Sequence, residues 1–398
     1  MNGPLSGFRI LDLTAVVLGP YATQILGDMG ADVIKVEAPS GDMTREIGPR
    51  KKPGMAPIHL TIGRNKRSLV LDLKQSKAVD VLKQLAAATD VFVHSMRPHT
   101  IERLGLGYDD LKTVRPDVVY CGTYGFGADG PYAKRPAYDD MIQGMCGIAD
   151  LVGKMTAGAP RYVPTIVADK TVGLFVANAI LAALLHRERT GQGQAIEVPM
   201  FETMVSYVMV EHLWDRSANP DNGDLGYVRM MAQSRRPYRT LDGYICVLAY
   251  TDKHWKTFFE LAKRPELGDD PRFVSIATRT ENIAELYSIA EEFTRERTTQ
   301  EWLTILEQAQ IPAGPVNSLE DLMTDPHLLE QGLFQKFAHP SIGETLQIRP
   351  PVKFSKSPAS LSRHAPLLGE HTMEVLREAG LSESHIEQLI REGAAVQV

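Results

Sequence analysis

The chain has 398 residues, with 43 Lys and Arg against 49 Asp and Glu, a formal net charge of −6. That length accommodates a large domain plus a smaller one, and 43% apolar with 23% charged residues is an ordinary globular composition. The acidic balance argues against a general nucleic-acid binder and leaves room for a local basic pocket. Cys121, Cys146 and Cys246 lie far apart with no CxxC pair; they offer no disulfide framework and no zinc site, and fit a reducing cytosol. The opening "MNGPLSGFRILDLT" has no basic stretch leading into an apolar core, so no secretory leader is expected. The longest apolar run, 171–185, holds Asn178 and is too short to span a bilayer. The expectation is a soluble cytoplasmic protein with neither nucleic acid nor membrane as partner.

The first 125 residues alternate strand and helix signals. "FRILDLT" (8–14) reads as a strand and "GPYATQILGDMGA" (19–31) as a helix, with Pro20 suited to its first turn and Gly30 to its end. "DVIKVE" (32–37) and "RSLVLDL" (67–73) are strands. "SKAVDVLKQLAAAT" (76–89) is an amphipathic helix with Val79, Leu82 and Leu85 on one face. "DVFVHS" (90–95) and "DVVYCGTYG" (117–125) are further strands. Strands separated by helices of this length imply a mainly parallel, doubly wound α/β sheet. A helix at 171–187 turns at Gly191; a strand at 194–200 and a helix at 201–214 follow. "DRSANPDNGDLG" (215–226) is a polar break suited to a linker. Residues 228–330 carry their own strand-and-helix pattern, that of a second, smaller domain, and 376–393 returns to helix.

"GFGADG" (125–130) follows a strand and matches GxGxxG. The apolar helix that should open there is replaced by "PYAKRPAYDD", so the helix N-terminus that holds a pyrophosphate is missing. The glycines then serve a left-handed turn or a close approach. Lys35, Arg45, Lys66, Arg67, Lys74, Arg97 and Arg103 cluster in the first hundred or so positions, several where strands end, which is where open α/β sheets bind ligands. A phosphate-rich ligand such as an adenine nucleotide or coenzyme A suits such positions. The eleven histidines form no HxH or HExxH pattern, so no metal site is expected, and there is neither a GxSxG elbow nor a Walker loop. Asp169 stands just ahead of the long apolar run, between "PTIVA" and "TVGLFVA". It reads either as a helix N-cap or as a desolvated carboxylate acting as acid–base or nucleophile. Val172 in place of Glu or Gln three residues on excludes a capping box.

Eight stretches, in order, resemble the family III CoA-transferases of CaiB/BaiF type, a group that also includes the α-methylacyl-CoA racemases. They are "LSGFRILDLTAVVLGPYATQILGDMGADVIKVEAPSGDMTR" (5–45), "NKRSLVLDLK" (65–74), "MRPHTIERLG" (96–105), "YGFGADGPYAKRPAYD" (124–139), "ADKTVG" (168–173), "RTGQGQAIEVPM" (189–200), "IPAGPV" (311–316) and "APLLGEHTMEVL" (365–376). The resemblance implies an interlocked, threaded homodimer. Each chain would form a Rossmann-like large domain from 1–215 and a returning 330–398, with a smaller α+β domain at 226–325. It places Asp169 where the transferases keep their nucleophilic aspartate and implies a coenzyme A thioester as substrate with no permanently bound cofactor. CoA-binding positions carry over to Val16 near the thiol end and to Leu71, Lys74, Met96, Arg97 and Arg103 near the adenosine and phosphates. Tyr124 and Tyr138 join them within the matched stretch. Ala38 stands where some members have an arginine, leaving Lys35 or Arg97 to meet that phosphate.

The implied chemistry suits a carboxylate, which attacks a thioester without a separate base. Backbone N–H groups are the economical oxyanion donors, and Gly125 is the candidate loop for them. The racemases need a histidine where this chain has Tyr138, and tyrosine, with a pKa of about 10, is a poor base at neutral pH. This favours transfer over racemisation; a CoA-binding protein without activity is the remaining alternative. Formyl-CoA:oxalate transferase has a glutamine at the position of Val17 and a glycine run in the small domain, where this chain reads "VRMMAQSRRPYRTLDGYI". Arg235 and Arg236 there are candidates to meet a second carboxylate on a dicarboxylic acceptor.

Overall fold

The computed structural model describes residues 3–397. Six parallel strands build the main sheet: β1 (Arg9–Leu13), β2 (Asp32–Glu37), β3 (Lys66–Leu71), β4 (Val91–His94), β5 (Val119–Gly122) and β6 (Gln194–Glu197). The spatial order is β3-β2-β1-β4-β5-β6, and a short C-terminal strand, Ala395–Val396, pairs antiparallel with the outer edge of β3. The order reverses between β1 and β4. In an open α/β sheet that switch point opens a crevice at the C-terminal strand ends.

Helices α1 (Leu18–Asp28), α2 (Ser76–Ala87), α3 (Pro98–Arg103) and α5 (Val167–Thr190) pack on the sheet, α4 (Asp139–Met145) packs on α5, and α6 (Met200–His212) follows β6. Val79, Leu82 and Leu85 of α2 face Leu11, Ile34, Leu69 and Phe92 of the strands in one buried cluster. In β2 every residue after Asp32 is buried, Lys35 included. Burial on both faces erases the alternation that marks a half-exposed strand.

The apolar run lies within a 24-residue helix, α5, which begins four residues ahead of it and ends at Gly191 with φ +74°. By length and composition alone α5 could cross a membrane, contrary to the sequence expectation; half of its most apolar window is buried within the chain, as in a core helix. The tail at 376–393 is two helices rather than one, Thr372–Glu378 and Glu383–Arg391, parted at Gly380, whose φ of +85° ends the first.

The chain divides into two compact units, 1–146 with 164–206 and 326–398, and 147–163 with 207–325. The second unit holds an antiparallel sheet of β7 (Tyr238–Arg239), β8 (Tyr244–Val247) and β9 (Ala313–Pro315). Its core is aromatic, with Trp255, Phe258, Phe259 and Trp302 all buried. Segment 147–163 belongs to it because its helix Ile148–Met155 packs on the short helix Val228–Met231.

Candidate active site

Asp169 sits in the first turn of α5, third after the capping position, which Ile166 occupies without any side-chain hydrogen bond. The N-cap reading of Asp169 is therefore corrected. The missing cap comes from another helix: Oδ1 of Asp139, the first residue of α4, accepts the Asp169 backbone N–H at 2.9 Å. Gln143, one turn on, donates to Oδ2 of Asp139 at 2.6 Å and holds it there. Asp169 is 7% exposed. Burial, and then the neighbouring charge of Asp139, push its carboxyl up to about 7, which outweighs the help an anion receives at a helix N-terminus.

One turn beyond Asp169, Gly173 brings α5 against α1. A β-carbon there would stand 2.8 Å from the Leu18 carbonyl oxygen. This close approach sets the start of α5 beside the β1–α1 loop, at the switch point of the sheet. That loop is held in an uncommon shape, with Val16 at φ +66°, a left-handed conformation that a β-branched side chain rarely adopts. The Val16 N–H donates to Oδ2 of Asp42 at 3.0 Å, and the Ala15 N–H donates to the Ser95 hydroxyl after β4 at 2.9 Å. Beneath the loop lies a buried charge network. Asp12 accepts from Thr14, Thr23 and Lys66. Burial alone would raise its pKa, but Lys35 and Lys66 hold it well below the carboxylate range.

Lys35 belongs to this network. Its ammonium donates to the Thr14 carbonyl and lies 3.6 Å from Asp42 and 3.9 Å from Asp12. Buried and paired, it holds the loop in place. The Leu71 side chain is 1% exposed in the core and its backbone pairs with Ala395. Lys74, Arg97 and Arg103 are exposed beyond the ends of β3 and β4, and Arg97 donates to the Lys134 carbonyl. Met96 is half-buried against the core.

Tyr124, half-buried after β5, lines a cavity of 570 Å³ with His94, Tyr120 and Glu197. Burial and Glu197 raise its pKa. Tyr138 is 62% exposed at the cap of α4. The glycine loop serves close approach, with no left-handed residue: a β-carbon on Gly125 would stand 2.3 Å from that of Ala137, two residues before Asp139. The N–H groups of Gly127 and Ala128 are taken by Glu202 and Glu197. A side chain at Gly125 thus disturbs the packing that carries Asp139, whatever its amide does.

In the second unit, Arg235 and Arg236 line a separate cavity of 480 Å³ together with Arg229. Arg236 pairs with Glu291 at 2.9 Å, and Nε of Arg229 donates to the Tyr287 hydroxyl at 2.6 Å. Among the described residues no group of three or more His, Cys, Asp or Glu side chains is arranged for a metal ion. Sequence reasoning missed Asp139, Asp42 and Arg229. Each acts through a partner 26 to 58 residues away in the chain, and no local pattern announces such pairings.

A carboxylate of raised basicity thus lies buried at a helix start beside the switch-point crevice of a parallel α/β sheet. The model of CoA-transferase family III matches residues 5–372, and the chain belongs to that family as a CoA-transferase. It is 35% identical over 396 residues to the succinyl-CoA:glutarate CoA-transferase of Mus musculus, covering 99% of this chain and 91% of that protein. It is 32% identical to the succinate–glutarate CoA-transferase of Agrobacterium fabrum, covering 94% of this chain and 95% of that one. A solved CaiB/BaiF family protein from Brucella suis superposes with a TM-score of 0.78 at 32% identity, covering 95% of this chain and 100% of that one.

Proposed function

We propose that the protein moves CoA from an acyl-CoA donor, succinyl-CoA for preference, to a carboxylic acid through covalent intermediates on Asp169. The observation that carries this reading is the buried Asp169 carboxylate with its raised pKa at the start of α5. Once ionised, a poorly solvated and unusually basic carboxylate is a strong nucleophile toward a thioester carbonyl. Its attack breaks the C–S bond and gives an acyl–aspartyl anhydride and CoA thiolate. The thiolate attacks the aspartyl carbonyl, expels the donor's acid as carboxylate and leaves an aspartyl-CoA thioester. The acceptor carboxylate attacks that carbonyl and releases the thiolate, which then takes the new acyl group and frees Asp169. Lys74, Arg97 and Arg103 are the candidates for the CoA phosphates, and Val16 for the thiol end. The name of the mouse relative supports succinyl-CoA as donor. The working form is a homodimer, supported by apolar helix faces left uncovered in the single chain.

The test is CoA transfer from succinyl-CoA to an added acid, followed by chromatography of the new thioester, with Asp169→Ala alongside. Transfer by the wild type with parallel double-reciprocal lines, falling by at least about a thousandfold in Asp169→Ala, is the expected result. A variant that keeps a tenth or more of the activity would remove Asp169 from the chemistry.

A further inference from the structure

Among the described residues, six other than glycine have a left-handed backbone, and Val16 is the only β-branched one of the six. A side chain branched at Cβ is poorly suited to that conformation, so it persists only where the surroundings enforce it. Three consecutive amides of the β1–α1 loop are anchored by three neighbouring strands. The Thr14 N–H donates to Oδ1 of Asp12 in β1 at 2.9 Å, the Ala15 N–H to the Ser95 hydroxyl after β4, and the Val16 N–H to Oδ2 of Asp42 after β2. Of these bonds, the last is the one made to Val16 itself. Asp42 is in turn not free to follow the loop. Its Oδ1 accepts from the Thr44 N–H and hydroxyl, both at 2.9 Å, its own N–H donates to Oε1 of Glu37 at 3.0 Å, and its side chain is 5% exposed.

The loop governs the start of α1. Val17 holds the capping position of that helix and makes no side-chain hydrogen bond, so the conformation of Val16, and no cap, sets where the first turn lies. The Leu18 carbonyl of that turn is the group against which Gly173 packs, one turn beyond Asp169 in α5. A Val16 relaxed to negative φ turns its peptide over, displaces Leu18 and carries the displacement to the first turns of α5. We propose that Asp42 is a positioning residue for Asp169. Its carboxylate clamps Val16 in the left-handed conformation, and the loop so held fixes the start of α1 against the start of α5. The proposal rests on the transferase reading above and adds to it a residue that acts through the backbone of a neighbouring loop.

The deciding experiment is a double-mutant cycle. Glycine takes a φ of +66° without strain, so Val16→Gly removes the strain that the clamp resists. CoA transfer from succinyl-CoA is measured for Asp42→Ala in the wild-type background and again in the Val16→Gly background, each loss being taken against its own parent. In the wild-type background kcat falls at least about tenfold, with KM for succinyl-CoA within about threefold, because the clamp places the reacting group and does not bind the donor. In the Val16→Gly background the fall in kcat is no more than about threefold. Equal falls in the two backgrounds overturn the proposal, since Asp42 would then act through Thr44 and the general fold. So does a fall of less than about twofold in the wild-type background. Hydrogen exchange of the peptide spanning 13–17 reads the clamp without activity. Exchange at least about tenfold faster in Asp42→Ala upholds it, and unchanged exchange sinks it. A wild type that moves no CoA to any acid removes the transferase reading and the positioning role with it, and the exchange then decides the clamp alone. Asp42→Asn keeps the side-chain volume but has one acceptor oxygen for the two sets of donors. It replaces the alanine variant, under the same thresholds, if a thermal melt shows that variant unfolded.

Discussion

At the scale of single residues, the proposed chemistry turns on two carboxylates 30 residues apart, Asp139 and Asp169. Asp139 accepts the Asp169 N–H and so fixes the first turn of α5, and its charge raises the pKa of the Asp169 side chain. In the mechanism we propose the attacking species is the ionised one, so kcat/KM for the acyl-CoA donor rises with pH through a limb centred near 7. Asp139→Asn keeps an oxygen for the backbone bond and removes the charge. The Asp169 pKa then falls, and the limb moves to lower pH by about half a unit or more. Initial rates between pH 5 and pH 9 measure it; a limb that stays in place would show that burial alone sets the value. Asp169 itself was legible in the sequence as a lone carboxylate in an apolar stretch, with Lys170 its only charged neighbour. Its partner was not, because "AYDDM" looks like any polar helix start until the fold brings it to α5. Lys35 was legible only as a cation, since a strand buried on both faces gives no sign of which lysine is solvated and which is paired within.

The helix α5 joins the site to the surface. Its inner face packs on α1, with Gly173 permitting contact at the Leu18 carbonyl. Its outer face leaves Leu174 at 48%, Phe175 at 44% and Leu185 at 52% exposure. A helix apolar all round is normally buried all round, and a second copy of the chain is the cover we propose. Light scattering at micromolar concentration gives twice the 44.0 kDa chain mass if that is so. Phe175→Glu with Leu174→Glu lowers it toward one chain or renders the protein insoluble. A wild type that scatters as a single chain would contradict the homodimer. The start and end of α5 show how local signals divide. Gly191 announced the C-terminus through its left-handed conformation. The N-terminus, capped by a distant carboxylate, had no signal of its own, and the helix begins four residues ahead of the apolar run.

In the whole molecule, a chain that alternates strand and helix builds a sheet whose order reverses between β1 and β4. The parallel α/β core was readable because the strands are short apolar runs and those at 8–14 and 67–73 are followed by an apolar or amphipathic helix. The two-residue C-terminal strand was not, being too short for any period to show. Nor was the allegiance of 147–163 to the second unit, which a helix–helix contact across some 75 residues decides. The reversal brings the Val16 loop, the ends of β3 and β4 and the start of α5 to one edge of the sheet, and the account stands on what happens there to Asp169. The most direct measurement is intact mass followed by peptide mapping of the protein mixed with succinyl-CoA and quenched in acid, with Asp169→Ala in parallel. The account predicts a CoA or succinyl adduct on the peptide that contains Asp169, absent from the variant. No adduct on that peptide during active turnover, or one on another residue, would contradict it.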